Sequence, residues 1–247
     1  MSMEKKELWI DKGYVTIPVW AGASLEKLEI FCGEDDGRAE KVFEFRVPSG
    51  PPESGAEKSF DAYLPVEPYI GRKLTFSGNF SDLFFLGIQN TAEKPAKDSG
   101  AEDAKRPSLH FAAGTGWIND PNGLVYHNGV YHLYFQYNPF DVNWENMCWG
   151  HAVSTDLLHW EELDAVMFPD ENGTMFSGSG IVNERECLGL QRDALVFFYT
   201  AAAGCNDWTQ EKAFTQRTAV STDGGQTLVK LDRGVVPPVG EESRDPK

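Results

Sequence analysis

The pentapeptide Ala152-Val153-Ser154-Thr155-Asp156 recurs identically as Ala219-Val220-Ser221-Thr222-Asp223, and no other feature constrains the fold of this chain as much. Each copy follows a β-type run and precedes a turn and a further β-type run, residues 158–163 in one case and 227–231 in the other. A similar echo joins Leu133-Tyr134-Phe135-Gln136-Tyr137 to Leu195-Val196-Phe197-Phe198-Tyr199. A self-similar all-β unit of this length is what a four-stranded propeller blade gives. Residues 106–247 have room for about two blades and the start of a third, whereas a ring usually needs at least four to close. The expectation is an all-β, truncated propeller that exposes the flank of its last blade.

Ahead of this zone, residues 1–90 contain short β-type runs at 27–32, 41–47, 60–66 and 74–79, separated by Gly, Pro and acidic clusters. Evenly spaced short strands suggest a small β-sandwich. Residues 91–105 lack apolar periodicity and are rich in charge, Ala, Pro and Gly, which reads as a linker. A hydrophobic share of 41% with 13% aromatic residues is enough to build a core. The net charge of -16 argues against nucleic acid or an anionic membrane as partner, and a neutral substrate fits better. No apolar run approaches the ~20 residues of a membrane span. The first ten residues have neither an apolar h-region nor a small-residue cleavage site, so the expectation is a cytoplasmic protein. Its oligomeric state is not legible.

The cysteines, Cys32, Cys148, Cys187 and Cys205, are widely spaced without a C-x-x-C pair and read as buried thiols. His127, His132, His151 and His159 lie in or beside strand patterns, without metal-ligand spacing, and read as satisfying local hydrogen bonds. No cluster calls for a metal or an organic cofactor.

The chemistry-bearing stretch is Trp117-Ile118-Asn119-Asp120-Pro121-Asn122-Gly123. Asp-Pro-Asn-Gly has the composition of a β-turn, which sets one carboxylate just ahead of an aromatic hairpin closed by Asn128-Gly129. The stretch resembles the signature of glycoside hydrolase family 32, the β-fructosidases, and further matches follow in family order. They are residues 107–111, Phe135-Gln136-Tyr137-Asn138-Pro139, residues 144–151, Phe176-Ser177-Gly178-Ser179 and Arg244-Asp245-Pro246.

The resemblance implies a five-bladed propeller over 106–247 and a retaining hydrolase that releases fructose from sucrose or a fructan without a cofactor. Such a reaction uses two carboxyl groups, one attacking the anomeric carbon and one protonating the leaving oxygen. By resemblance Asp120 is the nucleophile and Asp245 the transition-state stabiliser. Asn119, Gln136, Trp144, Phe176, Ser177 and Arg244 are the sugar-binding residues. The family's general acid is a Glu in a Glu-Cys motif beyond Arg-Asp-Pro, so it is not expected in this chain. Glu186-Cys187 comes before Arg244, and Glu186 reads as a loop residue with a structural or solvent role. The N-terminal β-rich segment tilts the reading toward an exo-acting fructan hydrolase of the levanase kind. Two other readings stand beside it: a non-catalytic fructoside-binding protein or remnant, and a related five-bladed hydrolase of arabinose or xylose polymers.

Overall fold

The structure is a computed structural model, and it describes residues 4–33, 39–50, 57–95, 107, 109–186, 189–236 and 243–246. Most of the linker expected at 91–105 lies outside the described residues, as do Ser108, Cys187 and Lys247. The chain divides into two compact units, the first gathering Met1–Ser108, Ala112–Trp117 and Asn138–Asn146.

In the first unit, strands β1 (Glu4–Trp9), β2 (Tyr14–Val19), β3 (Leu25–Cys32), β4 (Glu40–Pro48), β5 (Phe60–Pro65), β6 (Lys73–Gly78) and β7 (Gln89–Thr91) form two sheets. Their orders are β1-β6-β3-β4 and β5-β2-β7, with neighbouring strands antiparallel. Burial alternates along β3 and β5, which is the period-2 pattern of strands with one covered face. Leu28, Ile30, Leu64, Leu74 and Phe76 are fully buried.

The second unit is built on β8 (Trp117–His127), β9 (Val130–Asn138), β10 (Cys148–Ser154), β11 (Glu161–Glu162), β12 (Thr174–Val182), β13 (Leu195–Ala202), β14 (Thr215–Ser221) and β15 (Val229–Val236). They form two four-stranded sheets ordered β11-β10-β9-β8 and β12-β13-β14-β15, each a meander of neighbours in sequence, which is the blade topology. The repeat occupies equivalent positions in the two. The echoed runs are the second strands, β9 and β13, and each pentapeptide ends a third strand, β10 or β14. Both copies then build a Ser–Asp turn, one residue longer in the second copy. Ser154 and Ser221 donate to Asp156 and Asp223, whose carboxylates accept backbone N–H groups from the next turn. Of the run at 158–163, only Glu161–Glu162 is strand.

The core includes Val125 of β8, Tyr134 of β9 and Trp149 of β10 with Leu195, Phe197 and Tyr199 of β13. Trp149 and Phe197 meet edge to face at 6.2 Å, the favoured aromatic geometry. Asn128 (φ 49°) and Gly129 (φ 86°) close the β8–β9 hairpin with two positive φ values, as a type I′ turn requires.

The β-turn expected at Asp120-Pro121-Asn122-Gly123 does not form, and all four residues lie within β8. β8 is an edge strand, where a Pro without an N–H is tolerated. Gly123 takes φ +48°, and a Cβ there would stand 2.9 Å from the Phe197 ring. The aromatic core thus takes up the bend that local turn propensity would have made.

Candidate active site

Asp120 is exposed on β8, and its Oδ2 accepts a hydrogen bond from Ser177 Oγ on β12 at 2.8 Å. The strand geometry explains why Ser177 faces it. β12 loses register with β13 between Met175 and Gly178, and the two residues inside the irregularity are Phe176 and Ser177. Irregularities of this kind re-aim side chains beside functional sites. Gly178 permits it, because a Cβ there would lie 1.8 Å from the Phe198 carbonyl oxygen.

Beneath Asp120 lies a buried amide network. Gln136 Nε2 donates to the Met175 carbonyl (2.8 Å), and Trp149 Nε1 donates to that of Phe176 (3.1 Å). Asn122, only 1% exposed, faces Gln136, Trp149 and Ser177 together. The sequence marks Asn122 only as a turn residue, with no role in the site. The one available signal was an amide two residues from Asp120, which at strand period falls on the same face.

Arg244 and Asp245 are held against the same sheet. The Arg244 guanidinium stands 5.3 Å from the Phe176 ring centroid, within cation–π range. Its Nε donates to Asp245 Oδ2 at 3.0 Å, and the Asp245 N–H donates to Thr200 Oγ1 at 2.9 Å. Thr200 in turn donates to Gln216, whose Nε2 donates to the Ser243 carbonyl. Asp245 takes φ +59°, a left-handed conformation that costs a non-glycine residue energy and that these bonds sustain. Thr200 and Gln216 carried no sequence signal for this anchoring role.

The structure thus connects Asp120, Gln136 and Ser177 through one network, and Phe176, Arg244 and Asp245 through another. Asn119 is exposed at the start of β8. Trp144 belongs to the other unit and is 48% exposed. Its loop is clamped by Asn146, which accepts from the Arg46 N–H (2.7 Å) and donates to the Arg46 carbonyl (2.8 Å). Beside Trp144, burial pushes the Glu145 carboxyl above its usual range, against the opposing pull of Arg46. Glu186 is exposed in the loop between β12 and β13, and its expected partner Cys187 lies outside the described residues.

His132 and His151 form a buried pair, Nδ1 to Nε2 at 3.1 Å with rings stacked at 5.3 Å. Burial, the larger cause, and the neighbouring imidazole push His151 down to about 3. Among the described residues, no group of three or more His, Cys, Asp or Glu could hold a metal ion, and no helix is long and apolar enough to cross a membrane. Cys32 and Cys148 are buried, and Cys205 is half-buried.

Residues 110–247 match the family model described as the glycosyl hydrolases family 32 N-terminal domain. The chain is 40% identical over 171 residues to a levanase of Bacillus subtilis (strain 168), covering 67% of this chain and 24% of that protein. It is 34% identical over 206 residues to an invertase of Schizosaccharomyces pombe (strain 972 / ATCC 24843), covering 77% of this chain and 32% of that one. The solved structure of a glycoside hydrolase family 32 protein from Bifidobacterium adolescentis aligns with 95% of this chain and 40% of its own. The TM-score is 0.50 at 23% identity, a likeness of fold. The chain therefore spans about a quarter to a third of the length of these two curated relatives.

Proposed function

The chain belongs to glycosyl hydrolase family 32, and on that premise we propose that it carries the nucleophile of a retaining hydrolase that releases fructose from β-fructosides. Asp120 attacks the anomeric carbon of the fructosyl unit and forms a covalent intermediate, which water then hydrolyses. Asp245 stabilises the oxocarbenium-like charge of both transition states. Arg244, with its fixed fork of donors, Asn119, Gln136 and Ser177 bind sugar oxygens. Phe176 presents its ring to the C–H surface of the sugar. The proton for the leaving oxygen is assigned to no residue of this chain.

The observation that carries this reading is the 2.8 Å bond from Ser177 to Asp120 within the segment that matches the family. It joins two motifs that are 57 residues apart in sequence, as a shared site requires. The relatives named levanase and invertase support a fructan or sucrose as substrate. The N-terminal segment inclines the choice to an exo-acting fructan hydrolase. In this reading residues 1–90 form a small β-sandwich, 91–105 a linker, and 106–247 the opening blades of a five-bladed propeller. The substrate in this reading is a neutral carbohydrate.

The test is fructose release from levan, inulin and sucrose, with an arabinan and a xylan as controls. Hydrolysis of a β-fructoside that stops in Asp120→Asn supports the proposal. Action on the arabinan or xylan alone would move the protein to another substrate class.

A further inference from the structure

The atoms around Asn122 settle which way its hydrogen bonds run. Gln136 Nε2 (2.9 Å), the Gln136 backbone N–H (3.2 Å) and Trp149 Nε1 (3.2 Å) all face one end of the Asn122 carboxamide, and all three only donate. That end is therefore the oxygen. The other end faces the Pro121 carbonyl oxygen at 3.1 Å, which only accepts, so it is the NH2. The reverse orientation would gain one long contact, from the Gly178 N–H at 3.4 Å, and lose all of these.

Ser177 Oγ lies 3.3 Å from that NH2 and accepts from it. A hydroxyl has one proton, and with a lone pair engaged by Asn122 the proton turns to Asp120 Oδ2 at 2.8 Å. Asn122 and Gln136 are 1% and 2% exposed and Trp149 is fully buried, so solvent does not compete for the amide. Asp120 and Asn122 sit two residues apart on β8, on one face at strand period, which lets a single hydroxyl reach both.

We infer that Asn122 is a positioning residue, a buried amide that takes its donors from Gln136 on β9, shares the single Trp149 indole N–H with the Phe176 carbonyl, and gives one donor to Ser177. This fixes the Ser177 hydroxyl as a donor to Asp120. The carboxylate is held by Oδ2 in one rotamer and keeps Oδ1 for the attack. The catalytic consequence rests on the reading of Asp120 as nucleophile; the direction of the hydrogen bonds does not.

Neutron diffraction from deuterium-exchanged crystals of the chain tests the direction without any need for turnover. The expected map has the Ser177 deuterium directed at Asp120 Oδ2 and an Asn122 Nδ2 deuterium directed at Ser177 Oγ. A Ser177 deuterium pointing at Asn122 overturns the inference. The consequence is tested with fructosyl fluoride, whose leaving group needs little protonation, on Asn122→Ala, Ser177→Ala and the double variant. Each single change should lower kcat about 10- to 100-fold, and Asn122→Ala, which removes no contact with the sugar, should leave KM nearly unchanged. The double variant should fall no further than the worse single, since both remove the same orientation of Asp120. Losses that multiply would overturn the positioning role. If the unaltered chain leaves fructosyl fluoride intact, the nucleophile reading fails, and the neutron map still decides the inference.

Discussion

At the scale of single residues, Asp120 is exposed and is held by one short, directed hydrogen bond from Ser177. Asp120→Asn preserves the shape of the side chain and removes its nucleophilicity. We expect roughly a thousandfold loss of fructoside hydrolysis or more, with an unchanged circular dichroism spectrum and melting temperature. Activity within tenfold of the unaltered protein would contradict the assignment.

The buried pair His132 and His151 gives a second expectation. Both imidazoles are held below their ordinary 6.5, chiefly by burial. The folded chain keeps them neutral while the unfolded chain binds protons as pH falls below 6.5, so protonation favours unfolding. Their stability contribution is complete above about 6.5 and is lost progressively as pH falls toward the folded value of about 3 for His151. Each such group removes up to about 1.4 kcal/mol per pH unit in that window. Urea titrations at pH 7 and pH 5 should show the loss, and it should be smaller in His151→Phe. Equal losses in the two proteins would remove the pair from the account.

At the scale of elements, the repeated pentapeptide foretold more than any propensity, because it marks one Ser–Asp arrangement used at the end of two third strands. Ser154 with Asp156 and Ser221 with Asp223 close the third strands of two successive sheets. The Asn128-Gly129 hairpin was equally legible, since few residue pairs accept two positive φ values. Asp120-Pro121-Asn122-Gly123 misled for a physical reason. Its turn composition is real, yet the edge position of β8 accepts the proline, and packing against Phe197 and Trp149 decides the conformation. The register loss in β12 had no sequence signal beyond Gly178. Gly178→Ala forces a Cβ against the Phe198 carbonyl and should cost about 1–3 kcal/mol in urea unfolding. A variant as stable as the parent would show that β12 can straighten.

At the scale of the whole molecule, the sequence made an all-β chain with two blade-like sheets legible, along with the residues that meet around Asp120. What it left hidden depends on contacts distant in sequence. Thr200 and Gln216 pin the Arg244-Asp245 segment, and Asn122 orients Ser177, only once the strands have assembled. The charge of -16 gives a whole-molecule expectation, because a neutral carbohydrate feels little of that field. Turnover of a neutral fructoside should change less than about twofold between low salt and 0.2 M, where surface charges are screened. A steep salt dependence would point to a charged substrate.

As nucleophile, Asp120 forms a covalent bond to the fructosyl unit during turnover. The direct measurement is mass spectrometry of the protein after rapid acid quenching of its reaction with fructosyl fluoride, followed by peptide mapping. One added fructosyl unit is expected on the peptide that contains Asp120, and none in Asp120→Asn. A label on Asp245 or another residue, or hydrolysis that proceeds with no labelled protein at any quench time, would contradict it.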